Sequence, residues 1–163
     1  MVSWREASTD DHSSVRLLSE YFDSRARGFP AAAGRYRTLF PSAEQFARPR
    51  GVFLIVEGVG TLGEPADVGC GGIRMIEPGE SGATRFEVKH LWLQPHARGR
   101  GYGRALLSEL EARARALDAR ELVLDTNASL AAAAGLYRSS GFVDIAAYND
   151  NPNATNWYGK QLP

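Results

Sequence analysis

Apolar residues recur along the chain with two different periods, and the points where one period gives way to the other mark the expected elements. Residues 4–7 predict a short opening strand. Ser8, Thr9, Asp10 and Asp11 offer N-cap side chains, and Val15, Leu18 and Phe22 follow at helical spacing, so a first helix is predicted over residues 11–24. A second helix is predicted over 31–40, ended by Pro41, with a further helical turn over 42–46. The unbroken run Val52-Phe53-Leu54-Ile55-Val56 predicts a strand buried on both faces. Residues 57–67 hold three glycines and a proline and are expected to form a loop. A strand over 68–76 carries Gly71-Gly72 as a candidate bulge, and a third strand over 84–93 stops before Pro95. Three strands in succession predict an antiparallel meander.

The pattern then changes. Leu106, Leu110, Ala114 and Leu117 lie three or four apart, and Glu109/Arg113 and Glu111/Arg115 add pairs at i,i+4, which predicts a helix over 103–117. A strand follows over 121–125. A helix capped by Asn127 or Ser129 and carrying Leu130, Ala133, Ala134 and Tyr137 closes near Gly141. Strands over 142–145 and 157–162 flank a polar loop over 148–156. Strand, helix and strand between residues 84 and 125 predict a parallel pair with a crossover helix. The fold class expected is α/β (α+β mixed): a central mixed, mostly antiparallel sheet of about six or seven strands flanked by about four helices. With no repeat, linker or low-complexity tract, one domain is expected over 1–163.

Composition narrows the function classes. Zero formal net charge and a pI near 6.8 argue against a nucleic-acid binder, and no apolar run approaches a membrane span. Cys70 is the single cysteine, so an internal disulfide or cysteine-based zinc site is excluded and no metal is expected. The opening residues lack a basic and an apolar region in series, so a cytoplasmic location is expected. Among the basic residues only Lys89 and Lys160 are lysines; arginine favours forked contacts to phosphate and carboxylate.

The most distinctive stretch is Arg98-Gly99-Arg100-Gly101-Tyr102-Gly103, between a strand and a strongly periodic helix. Glycines let backbone approach a ligand, and the first helical turn presents unpaired N–H groups at the positive end of the dipole. Together they can cradle a phosphate, with Arg98, Arg100 and Arg104 adding charge. The spacing matches neither a Walker loop nor a full dinucleotide fingerprint, and a basic surface loop is the bland alternative.

The stretch from Glu87 to Pro95, followed by Arg98 to Leu107, resembles the GCN5-related N-acetyltransferase (GNAT) family. Arg98, Gly101 and Gly103 match that family's Arg/Gln-x-x-Gly-x-Gly/Ala motif. Leu136-Tyr137 and Gly141-Phe142 are similar to its Leu-Tyr-x-x-x-Gly-Phe ending. The resemblance implies an acetyl-CoA-dependent N-acetyltransferase. The amides of Gly99, Arg100, Gly101, Tyr102 and Gly103 would hold the pyrophosphate. Backbone of Leu91, Trp92 and Leu93 would pair with the pantetheine arm as an added strand. The thioester would then sit between the strand ending at Leu93 and the strand over 122–125. Many relatives carry a pantetheine-binding asparagine seven residues before the tyrosine; here Leu130 stands there, and Asn127 or Thr126 is the candidate replacement.

Acetyl transfer to an amine needs a group to take the ammonium proton, a donor for the oxyanion and a proton for the thiolate. Tyr137 matches the tyrosine that serves as acid in many relatives, against a plain core aromatic as the alternative. Glu87 is an acidic residue in an otherwise apolar strand and is the candidate base, acting directly or through water; a salt bridge to Arg74 or Arg85 is the alternative. His90 falls on the opposite strand face from Glu87 unless a bulge intervenes. Cys70 reads as inert core. Residues 25–40 and 148–156 are expected to flank the acceptor, a small-molecule amine or amino-acid-like compound. A non-catalytic acyl-CoA sensor and a peptide N-acetyltransferase are the other readings, in a monomer or homodimer.

Overall fold

The computed structural model describes residues 2–163. Its centre is a seven-stranded sheet. Strands β1 (Ser3–Glu6), β2 (Gly51–Val59), β3 (Pro65–Ile76) and β4 (Arg85–Leu93) run as an antiparallel meander. Strand β5 (Glu121–Thr126) lies parallel to β4, and β7 (Asn156–Gln161) and β6 (Val143–Asp144) complete the order β1-β2-β3-β4-β5-β7-β6. Helix α1 (His12–Gly28) covers one face. Helix α2 (Tyr102–Ala116) makes the β4-to-β5 crossover on the other, and α3 (Ala131–Ser139) follows β5.

Strand β2 shows why two layers of helix are needed. Val52, Leu54 and Val56 point into the core beneath α2, and Phe53 and Ile55 point into a second core with Leu17, Leu18 and Phe22 of α1. Both faces of this strand are buried, so the sequence shows an unbroken apolar run rather than alternation. Gly69 of β3 is required by close approach: a Cβ there would lie 2.5 Å from the Trp92 carbonyl oxygen. Helix α2 buries Leu106, Leu107, Leu110 and Ala114 and carries the expected Arg113–Glu109 and Arg115–Glu111 pairs at 2.7 and 3.0 Å on its outer side.

Four expectations are corrected. The helix over 31–40 is a single 3-10 turn, Ala31–Ala33, followed by irregular chain, so three α-helices flank the sheet rather than four. The segment 57–67 is mostly strand: β2 and β3 form a hairpin turning over 60–64. Helix α1 buries Ser14, Leu17, Leu18 and Phe22, whereas Val15 is exposed. Neither Asn127 nor Ser129 caps α3; Leu130 is at its N-cap, and Asn127 closes the preceding turn by accepting from the Ser129 and Leu130 amides.

Candidate active site

The sheet opens at its parallel seam. Strands β4 and β5 pair only at Arg85/Glu121, Phe86/Leu122 and Glu87/Val123, and residues 88–93 of β4 have no partner on that side. Against β3 the register shifts between Cys70 and Gly72, so His90 and Leu91 together oppose Gly71. The bulge therefore falls at the level expected from Gly71-Gly72, but its extra residue is on β4. His90 takes a left-handed φ of 61° there. Its ring packs edge-on to Tyr21 at 5.4 Å and lies near Phe22 and Phe46. Burial, with Lys89 and Arg74 nearby, pulls its pKa down to about 3, so it is neutral at physiological pH.

The glycine loop follows β4. Gly99 and Gly101 have φ of 75° and 81°, and a Cβ on either would meet nothing within 4 Å. Gly101 is the N-cap of α2. Among the described residues, no protein group accepts from the amides of Gly99, Arg100, Gly101, Tyr102, Gly103 or Arg104. Six successive free donors at the positive end of a 15-residue helix form an anion cradle. Arg98 braces the loop by donating to the Leu93 carbonyl at 2.9 Å and stacking 4.8 Å from the Trp92 ring. Arg104 donates to Ser139 Oγ at 2.7 Å, tying α2 to α3, and Arg100 is exposed with no ion-pair partner among the described residues. The free edge of Leu91 to Leu93 and this cradle are continuous along the chain, and both fit an extended, phosphate-bearing amide ligand.

Glu87 is 1% exposed and fully engaged. Arg74 Nε donates to its Oε1 at 3.0 Å, the Tyr148 hydroxyl donates to Oε2 at 2.6 Å, and Lys89 Nζ lies 3.6 Å from Oε2. The Arg74 ion pair is the alternative already seen in the sequence. Lys89 donates across the open seam to Asp125 Oδ1 at 2.9 Å. The Asn149 and Asn151 amides donate to Asp125 Oδ2 at 2.7 and 3.1 Å. Burial alone would raise the Asp125 pKa; Lys89 and these two amides outweigh it and hold the carboxyl below its ordinary range. Sequence reasoning missed Lys89, Asp125 and Tyr148. The one available signal was a rare lysine and a strand-end aspartate among apolar residues.

A cavity of about 610 Å³ fills the space behind the seam. Its walls come from α1, residues 36–41, the bulge of β4, the end of β5 and the loop over 149–154. The two segments expected beside the acceptor thus meet there, joined by Asn153, which accepts from the Arg37 amide at 3.0 Å and donates to its carbonyl at 2.8 Å. Tyr137 lines the cavity and is buried against Phe142 and Tyr158. Burial pushes its hydroxyl above the ordinary phenol range, so it stays protonated and able to donate. Asn127 also lines the cavity, with its amide donating to the Asn153 carbonyl at 3.1 Å. Glu87 does not line it; Arg74 and Lys89 stand between. Cys70 is buried, and burial raises its thiol pKa. No described helix is long and apolar enough to cross a membrane.

Residues 14–142 match the sequence model of the Acetyltransferase (GNAT) family. An IAA acetyltransferase of Azospirillum brasilense is 35% identical over 130 residues, covering 80% of this chain and 76% of that protein. A presumed acyl-CoA N-acyltransferase from Klebsiella pneumoniae subsp. pneumoniae MGH 78578 superposes with a TM-score of 0.72 at 25% identity, over 99% of this chain and 98% of that one. A presumed acetyltransferase from Salmonella typhimurium, solved with its cofactor acetyl-CoA, superposes with a TM-score of 0.66 at 17% identity, over 100% of this chain and 95% of that one.

Proposed function

This chain belongs to the acetyltransferase (GNAT) family, and from that premise we propose that it transfers the acetyl group of acetyl-CoA to the primary amine of a small-molecule or amino-acid-like acceptor by direct attack. The carrying observation is the run of six free amides from Gly99 to Arg104, set beside an unpaired strand edge that leads to the cavity holding Tyr137. Acetyl-CoA, when bound, supplies the activated thioester. The amides from Gly99 to Gly103 and Arg104 hold its pyrophosphate, with Arg98 fixing the loop and Arg100 adding charge. Leu91, Trp92 and Leu93 offer backbone to the pantetheine arm. Asn127 borders that path, although its side chain is used within the protein.

Tyr137 is the acid. Its hydroxyl is protonated, faces the cavity, and gives its proton to the departing sulfur. The base assignment follows from pairing. Both Glu87 oxygens are taken by Arg74 and Tyr148, so water, rather than the Glu87 carboxylate itself, takes the proton of the acceptor amine. The cavity makes that step easier. Arg25, Arg37, Arg74 and Lys89 line it against the single carboxylate of Asp125, and a positive surrounding lowers the pKa of a bound ammonium. Glu87 then acts by holding Arg74, Lys89 and Tyr148 in place. The whole chain works as one transferase unit.

Calorimetric titration with acetyl-CoA, followed by thiol release against a panel of small amines, tests this reading. Micromolar binding and amine-dependent release are expected. In Tyr137→Phe, kcat should fall roughly 10²- to 10⁴-fold with little change in acetyl-CoA affinity. Tight binding without release from any acceptor would replace the reading with a sensor of acyl-CoA, and absence of binding would overturn it.

A further inference from the structure

The cavity carries an unbalanced positive charge. Of the five charged residues on its wall, Asp125 and Lys89 pair with each other, Arg74 pairs with Glu87, and Arg37 is exposed, with only its backbone bonded, to Asn153. Arg25, in the last turn of α1, has no such partner: among the described residues its guanidinium donates to no acceptor and meets no carboxylate within ion-pair distance. It is held instead 5.0 Å from the centre of the Tyr21 ring. It lines the same cavity as Tyr36 and the proposed acid Tyr137. Around it the wall is aromatic. Phe29 stacks edge-on to Tyr36 at 5.5 Å, and Phe22 packs against Phe40 at 5.1 Å.

The carboxylate side of the ledger is closed. Among the described residues, Asp125 is the only acidic one lining the cavity, and its oxygens accept from Lys89, Asn149 and Asn151. A polycationic acceptor would find no free counter-charge and would meet Arg25 and Arg37. A compound with one anionic group and a flat apolar body finds a forked donor and an aromatic wall.

Resting on the transferase reading above, we propose that Arg25 is a specificity-determining residue that binds a carboxylate on the acceptor, and that the acceptor is an aromatic amine of the amino-acid type. The carboxylate is fixed by the Arg25 fork, the ring lies among Tyr21, Phe29 and Tyr36, and the amine is left to face Tyr137.

The test compares ligands that differ only in the carboxylate: phenylalanine with phenethylamine, and tyrosine with tyramine, as acceptors at saturating acetyl-CoA. The corresponding N-acetyl products are compared in direct binding to the full chain. The acids should be favoured at least tenfold in kcat/KM and in affinity. Arg25→Gln should raise KM for the acids roughly 10- to 100-fold, the worth of a charge-assisted hydrogen bond, while raising KM for the decarboxylated partners far less. Arg25→Lys should recover part of the preference. Equal use and equal binding of the paired ligands, or a preference for the decarboxylated ones, would overturn the proposal while leaving the transferase in place. A preference in binding that survives without any thiol release would support the anion site and overturn the transferase reading instead.

Discussion

Glu87→Gln separates a carboxylate that works on the substrate from one that holds the site together. The substitution keeps the shape and one acceptor oxygen but removes the charge that balances Arg74 and part of Lys89. Breaking a fully buried ion pair costs about 3–5 kcal/mol. Here Arg74 is 30% exposed and Lys89 18%, so water recovers part of that, and Lys89 keeps Asp125. A loss of about 2–3 kcal/mol is the expected outcome. For a chain of 163 residues this corresponds to a melting temperature lower by roughly 5–10 °C. The kinetic consequence follows from the same pairing. With water as the proposed base, the acid limb of the pH–kcat/KM profile should persist in Glu87→Gln, with kcat reduced by about tenfold or less through misplacement of Lys89 and Tyr148. Thermal melts and a pH–rate profile on wild type and variant are sufficient. An unchanged melting temperature combined with a hundredfold or larger fall in kcat/KM and disappearance of the acid limb would refute the argument and make Glu87 the base.

Two further outcomes follow from the geometry. Gly101→Ala places a Cβ in open space but at a φ of 81°, so its cost is backbone strain of about 1–2 kcal/mol; acetyl-CoA affinity by calorimetry should weaken about tenfold, and unchanged affinity would mean the amides there do not hold the ligand. His90 has its pKa depressed to about 3, by burial first and then by Lys89 and Arg74, so the unfolded chain takes up a proton near pH 6.5 that the folded chain refuses until about pH 3. Its contribution to stability is complete above pH 6.5 and drains away as pH falls toward 3. In denaturant melts at pH 4 to 7, His90→Phe should therefore lose less stability on acidification than wild type, by up to about 1.4 kcal/mol per pH unit, and parallel curves would refute the assignment.

The parts of the fold legible in the sequence are those whose signal is local. Helix α2 was readable because its stripe, its i,i+4 pairs and its glycine start lie within 15 consecutive residues. The run over 52–56 was readable because burial on both faces leaves no polar positions. The failure over 31–40 is instructive. Its apolar residues do not serve a helical face; Tyr36 packs on Phe29, Phe40 packs on Phe22 of α1, and the Arg37 backbone bonds to Asn153. Tertiary partners, the aromatic contacts of Tyr36 and Phe40 and the backbone bonds of Arg37, take the place of helical ones, and most of the segment stays exposed. The site divides in the same way. The cradle was visible as a glycine pattern, and the Arg74 partner of Glu87 could be named. Tyr148 with Glu87 is 61 residues apart and Lys89 with Asp125 is 36, and no periodicity encodes such pairs.

The bulge at His90 and the buried charges are two consequences of one arrangement. Strand β4 leaves β5 after Glu87, and a strand that leaves its neighbour exposes backbone donors and acceptors that must be satisfied by something else. On the β3 side the ladder resumes at Trp92, at the cost of one residue with positive φ. On the β5 side no strand returns, and the gap is spanned by side chains, Lys89 to Asp125, with Glu87 and Tyr148 behind them. Those charges are buried only because the sheet is open there. Their mutual pairing uses up the carboxylates described at the opening and leaves Arg25 and Arg37 as the unpaired charges on the cavity wall. Splitting the sheet thus creates both halves of the site, the free edge for a cofactor and a cavity whose residual charge is positive. The anionic acceptor proposed for the second half follows from how the first half is stabilised.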